Sequence, residues 1–260
     1  MSRGLGDVYK RQVQNGPLEF LLMLDKCLDP AWIRYKGLNM SFLSKPGLQG
    51  RNPYDTAGRE AVRSIMGGAM FTCGLDHVHG YRTVGGVEYP THGRIRTTPA
   101  EKIGMDSFFD GDQYRIRVTG EMRQAEIFGE NMILRRTVET VYGSNEILFH
   151  DEIENQGFKP EPLCFLYHCN AGYPFLTPES RLILPEVSCI PRDGEAQKGM
   201  AGRLSMGQAE DGQAEQVFQY SLASDREGNT FGAFVNDDRE LALCILSLIH
   251  ISEPTRHSLI

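Results

Sequence analysis

Two short segments of this 260-residue chain place histidine among residues suited to proton chemistry. The first, GLDHVHGYRTVGGVEYPTHGRI, holds His77, His79 and His92; the second, FLYHCNAGYP, holds His168. His168 closes an apolar run, Leu163 to Tyr167, and is followed by Asn170, Gly172 and Pro174. The chain therefore turns where a polar side chain would emerge at a sheet edge. A histidine there titrates near neutrality and serves as general acid or base; a structural histidine bonded to a loop carbonyl is the competing reading. His92, in Thr91-His92-Gly93-Arg94, sits at another turn. Gly93 lets a ligand or a second backbone come close, and Arg94 offers a fork of donors to oxygen atoms.

The elements that must hold these residues read as β-structure. Tyr114, Ile116 and Val118 alternate with Arg115, Arg117 and Thr119 after the turn Asp110-Gly111-Asp112, the period of a half-buried strand. Met132 to Tyr142 and Glu146 to Glu154, joined through Gly143-Ser144-Asn145, make an antiparallel hairpin. Leu163 to His168, Val217 to Leu222 and Thr230 to Val235 are further strands. Helical signals are few: Thr56 to Met66 with Thr56 as N-cap, and a single turn starting at Pro99-Ala100-Glu101. Arg192 to Gln216, rich in Gly, Gln, Glu and Asp, reads as a long exposed loop. With no internal repeat and no separate second domain, the expected architecture is one large antiparallel β-sandwich.

The two ends share an unusual relationship. SRGLGDVYKRQ, Ser2 to Gln12, and LSLIHISEPTR, Leu246 to Arg256, can be encoded by opposite strands of a single DNA sequence, codon for codon. The pair resembles translated transposon adapter of the kind used in sequencing libraries. Residues 1–12 and 246–260 are accordingly expected to be adapter-derived, leaving 13–245 as a partial domain incomplete at both ends. Setting the ends aside moves the net charge from −7 to −9, which leaves nothing to suggest a phosphate-backbone binder. No run of about 18 apolar residues marks a membrane span. Six cysteines, without CxxC spacing or a disulfide rhythm, fit a reduced cytoplasmic protein.

The ordered segments GGAMFTCGLDHVHG, THGRIRTTPAEKI, GEMRQAEIFGENMILRRTVETVYGSNEILFHDEIENQGF, PLCFLYHCNAGYPFL, IPRDGEAQKG and EQVF resemble the aldose 1-epimerase-like proteins of the galactose mutarotase superfamily. Within it, they are most similar to the branch known as an uncharacterised domain family. The resemblance implies a large antiparallel supersandwich whose concave face holds a monosaccharide or sugar derivative. It implies interconversion of aldose anomers without a cofactor or metal. His168 matches the general acid, and His92 the second histidine that helps bind the sugar. Asn170, Arg94 and Asp76 follow as sugar contacts. The family's general base, a glutamate in an EPG- or EPA-like string, would lie beyond Cys244; Glu253-Pro254 imitates it within the adapter-like stretch and does not inherit the role. The fragment itself is expected to be inactive. Lys26-Cys27-Leu28-Asp29-Pro30-Ala31 departs from the family's RGLDIG-like string, and Pro30 removes a backbone donor there.

Two other readings compete. The same site could bind a sugar or sugar phosphate without turning it over, with Arg34, Lys36 and Arg94 as cations for a phosphate. Alternatively, His77, His79, Glu88, His92 and His168 could supply a cupin-type metal site, since an HxH pair on a strand points both imidazoles to one face. The resemblance requires no metal.

Overall fold

The computed structural model describes residues 9–247. They cluster into two compact units, one ending at Gly172 and the other beginning at Tyr173, where the sequence reading expects one domain. Helix is scarce and every strand pairing is antiparallel. Most of the adapter-like residues, 1–8 and 248–260, lie outside the described region. Lys10 to Gln12 nevertheless pair with Met23 to Leu21, and Leu246 and Ser247 with Phe231 and Thr230.

The first unit is a two-sheet sandwich. One sheet contains β1 (Lys10–Gln14), β2 (Leu18–Met23), β3 (Asp29–Tyr35) and β4 (Leu38–Asn39) in that order. Next in the chain come β5 (Met70–Leu75) and a small hairpin, β6 (Arg82–Val84) and β7 (Val87–Tyr89), turned by Gly85-Gly86. The second large sheet is a meander of β8 (Ala100–Asp110), β9 (Gln113–Ala125), β10 (Asn131–Val141) and β11 (Leu148–Asn155). β12 (Cys164–Cys169) returns to pair with β5. Val118 and Met122 of β9 and Leu134 and Val138 of β10 meet Val13, Phe20 and Leu22 in one buried cluster. The period-two pattern thus turns one face of the meander onto the first sheet. Pro30 fits in β3 opposite Leu22, beside the register shift at Leu21/Leu22; proline is tolerated at such an irregularity.

The second unit holds β13 (Arg181–Ile183), β14 (Glu186–Pro191), β15 (Phe218–Leu222), β16 (Thr230–Asn236) and β17 (Leu241–Ser247). β13-β16-β17 form one sheet and β14-β15 another.

Three sequence expectations need correction. Thr56 to Met66 is no α-helix: a 3₁₀ helix runs from Gly58 to Ser64, and Thr56 does not cap it. Its buried residues, Gly58, Ala61 and Ser64, recur every third position, which is the period of a 3₁₀ helix rather than an α-helix. Pro99-Ala100-Glu101 starts strand β8, not a turn of helix. Within Arg192 to Gln216 lies a short helix, Gly194–Lys198, whose Asp193 cap accepts from the Glu195 and Ala196 amides. No helix among the described residues is long and apolar enough to cross a membrane.

The apolar face of β10 is interrupted by one cation. Arg136, 1% exposed, donates through Nε and Nη2 to Asp151 at 2.8 and 2.7 Å. It also donates through Nη1 to Asp29 at 2.6 Å and to the Cys27 carbonyl, and through Nη2 to Thr72 Oγ1. Asp29 also accepts from the Thr72 amide and hydroxyl, and Tyr167 donates to Asp151 at 2.6 Å. Burial pushes Asp29 up to about 6, against the opposing pull of Arg136 and the Thr72 bonds. Arg136→Met would leave two buried carboxylates without their cation. It should cost about 3–5 kcal/mol in chemical denaturation, against less than about 1 kcal/mol for the exposed Arg63→Met.

Candidate functional site

β5 and β12 bring the two predicted histidines together. In their register His168 stands opposite Phe71, and the two rings stack at 4.5 Å between centroids with 17° between planes. His92 meets the same phenyl ring edge-on at 5.5 Å and the His168 ring at 5.5 Å. Phe71 is buried and belongs to the cluster of Leu21, Met23, Ala31, Met66 and Cys73. Both imidazoles therefore rest on one fixed aromatic floor. Sequence reading missed Phe71 because a phenylalanine in an apolar strand has no mark of its own; only the strand register reveals what it faces.

Glycine backbone geometry sets His92. His92 itself adopts φ 64° and Gly93 φ 78°. Gly93 bridges Gly74 in parallel, and a Cβ at Gly93 would collide with the carbonyl oxygens of Gly74 and His77. The close approach expected at Gly93 is thus a second backbone. The His92 amide donates to the His79 carbonyl at 2.8 Å, and its carbonyl accepts from Gly74. Its ring nitrogen Nδ1 lies 3.0 Å from the Val78 carbonyl, which can only accept. Nδ1 therefore carries the proton, and in the neutral ring Nε2 is the acceptor. Burial pulls the His92 pKa below its ordinary value; the Val78 bond opposes this and the neighbouring His168 adds to it.

The other predicted residues are engaged within the chain. Asn170 donates through Nδ2 to the carbonyls of Gly68 and His168 at 3.0 and 3.1 Å, which leaves Oδ1 as its contribution to a ligand. Arg94 is ion-paired through Nη1 with Asp76 Oδ2 and donates through Nη2 to the Glu88 carbonyl at 2.7 Å. The second carboxylate oxygen of Asp76 is buried and has no partner among the described residues. Arg94 also lines a cleft of about 340 Å³ that does not include His92 or His168. The HxH pair does not sit on a strand with both rings on one face. His77 is buried with Nε2 on the Gly80 carbonyl, while His79 is exposed. No group of three or more metal-binding side chains exists among the described residues.

A family model described as a domain of unknown function (DUF4432) matches residues 8–247. Among solved structures, the chain is similar to a candidate aldose 1-epimerase from Klebsiella pneumoniae, with TM-score 0.82 and 21% identity over 91% of this chain and 66% of that one. It thus spans just under two thirds of that protein's length. A galactose mutarotase-like protein from Clostridium acetobutylicum matches with TM-score 0.55 and 14% identity over 88% of this chain and 74% of that one. A protein from Synechocystis sp. matches with TM-score 0.58 and 16% identity over 94% and 77% respectively. At these identities the likeness establishes the fold, an all-β sandwich of the galactose mutarotase-like kind. No curated protein matches the chain.

The His92 environment predicts a pH dependence. Its folded pKa lies below the ordinary 6.5, so the unfolded chain binds the proton more readily. Its contribution to stability is present above pH 6.5 and is lost as pH falls through the folded value. NMR titration of the ring protons should give a midpoint below 6.5 for His92, and His92→Gln should flatten the stability profile in that window.

Proposed function

We propose that the parent protein of this chain, which belongs to the DUF4432 family, acts on a monosaccharide as an aldose 1-epimerase-like isomerase, with His168 as general acid and His92 as its sugar-binding partner, the chain itself being inactive without the general base. The observation that carries this reading is the pair of imidazoles with centroids 5.5 Å apart on one buried phenyl ring. Two adjacent histidines in unlike environments can divide acid and acceptor roles.

In the proposed cycle, His168 gives a proton to the ring oxygen while a carboxylate takes the proton of the anomeric hydroxyl. The bond from C1 to the ring oxygen breaks and leaves an open aldehyde. Rotation about the bond from C1 to C2 and reclosure then deliver the other anomer, and the protons return. His92, protonated on Nδ1 by its bond to Val78, would accept a sugar hydroxyl through Nε2. Asn170 would accept through Oδ1, and Arg94 and Asp76 would flank the sugar as a mutually neutralised pair. The general base is assigned to no described residue. The scheme requires no cofactor, and a cytoplasmic location belongs to the same proposal.

Polarimetry of anomeric equilibration on the full-length gene product tests the reading. His168→Ala should slow the enzymatic rate by about 100-fold or more. Equal rates with and without His168 would overturn it. Calorimetric binding of a sugar with no acceleration would point instead to the non-catalytic binding module.

A further inference from the structure

The cleft of about 340 Å³ beside Arg94 has a composition of its own. Arg51, Arg94 and Arg123 line it together with Gln124, Glu101 and Glu130. Gln124 is the most informative of these, being only 5% exposed. Its Oε1 accepts the Leu75 amide at 3.1 Å, which fixes the carboxamide and turns Nε2 away from β5. The two N–H groups on that nitrogen have no acceptor among the described residues and are free to donate. Gln124 lines the cleft, so the cleft is where an acceptor would reach it.

The arginines add to this excess of donors. Arg123 alternates with Gln124 on β9 and is held on the other face by Asn131 Oδ1 at 2.7 Å and Gln156 Oε1 at 3.4 Å, so it adds positive charge nearby but no direct clamp. Arg51 makes no side-chain hydrogen bond or ion pair among the described residues. Arg94 is held in place by Asp76 and the Glu88 carbonyl. Glu101 and Glu130 share the cleft without pairing with these arginines. Fixed N–H donors and guanidinium groups suit an anionic oxygen cluster, and free carboxylates accept from hydroxyl groups. The volume falls at the small end of the range for ligand pockets.

We infer that this cleft binds a polyhydroxylated anion, its carboxylate or phosphate held by Arg51 and the Gln124 amide and its hydroxyls by Glu101 and Glu130. The inference does not rest on the acid–base reading, because neither His92 nor His168 lines the cleft.

Isothermal titration of the chain with gluconate, its neutral counterpart sorbitol, and inorganic phosphate tests it. Gluconate should bind at least about tenfold more tightly than either of the others, as expected when a charged group and hydroxyls are both recognised. Gln124→Glu keeps an oxygen for the Leu75 amide but replaces the donor with negative charge, and should weaken gluconate by about tenfold or more. Arg51→Gln, at an exposed position, should weaken gluconate in the same direction whether or not the first variant folds. Sorbitol or phosphate binding as tightly as gluconate would overturn the assignment. So would a gluconate affinity unchanged in folded Arg51→Gln and Gln124→Glu.

Discussion

One buried guanidinium holds the first unit together. Arg136 in β10 bonds Asp29 in β3, Thr72 in β5 and Asp151 in β11, and Asp151 accepts from Tyr167 in β12. An isolated charge in this position would be prohibitive, and even a paired one gains little over a well-packed apolar core. Its value here lies in direction: five strands must present matched groups at once for the charge to be tolerated. The two strands of the candidate site are among them. Thr72 and Tyr167 face each other across the β5–β12 ladder, and one step along each strand stand Phe71 and His168, also facing each other. Successive residues of a strand point to opposite sides. The face of the ribbon behind the imidazole stack is thus anchored to Arg136, and the stack inherits its position from the core.

The loop that brings His92 to this ribbon depends on the absence of side chains. Gly74 and Gly93 approach each other so closely that neither tolerates a Cβ: at Gly74 it would meet the Cys164 carbonyl, and at Gly93 those of Gly74 and His77. The positive φ of His92 is sustained by its amide bond to His79 and by the Val78 carbonyl on its ring. A non-glycine residue in that conformation is strained unless its surroundings determine it, and here they determine both backbone and tautomer.

Legibility in the sequence follows this division. Three of the four meander strands, β9, β10 and β11, were readable because period-two alternation and glycine turns are local signals, and β9 simply extends further than Tyr114 to Thr119 suggests, whereas β8 was not. His168 and His92 could be singled out because histidine near a strand end or turn is chemically conspicuous, and the structure sets the two rings side by side. The Gly85-Gly86 hairpin carried a readable signal, two glycines flanked by valines, that went unused. Arg136 shares the face of Leu134 and Val138, but the partners that let a charge sit there, Asp29, Thr72 and Asp151, come from other strands and are not visible locally. Phe71, Gln124 and the 3₁₀ period of Gly58, Ala61 and Ser64 have meaning only once neighbours from distant strands and loops are known.

The imidazole pair, finally, is asymmetric in a way that bears on its chemistry. Two histidines with centroids 5.5 Å apart resist carrying two protons, since like charges at that range disfavour one another. Burial and the proximity of His168 both act on His92 to keep it neutral, while the Val78 carbonyl fixes which nitrogen holds its single proton. His92 thus presents a lone pair of defined direction at Nε2.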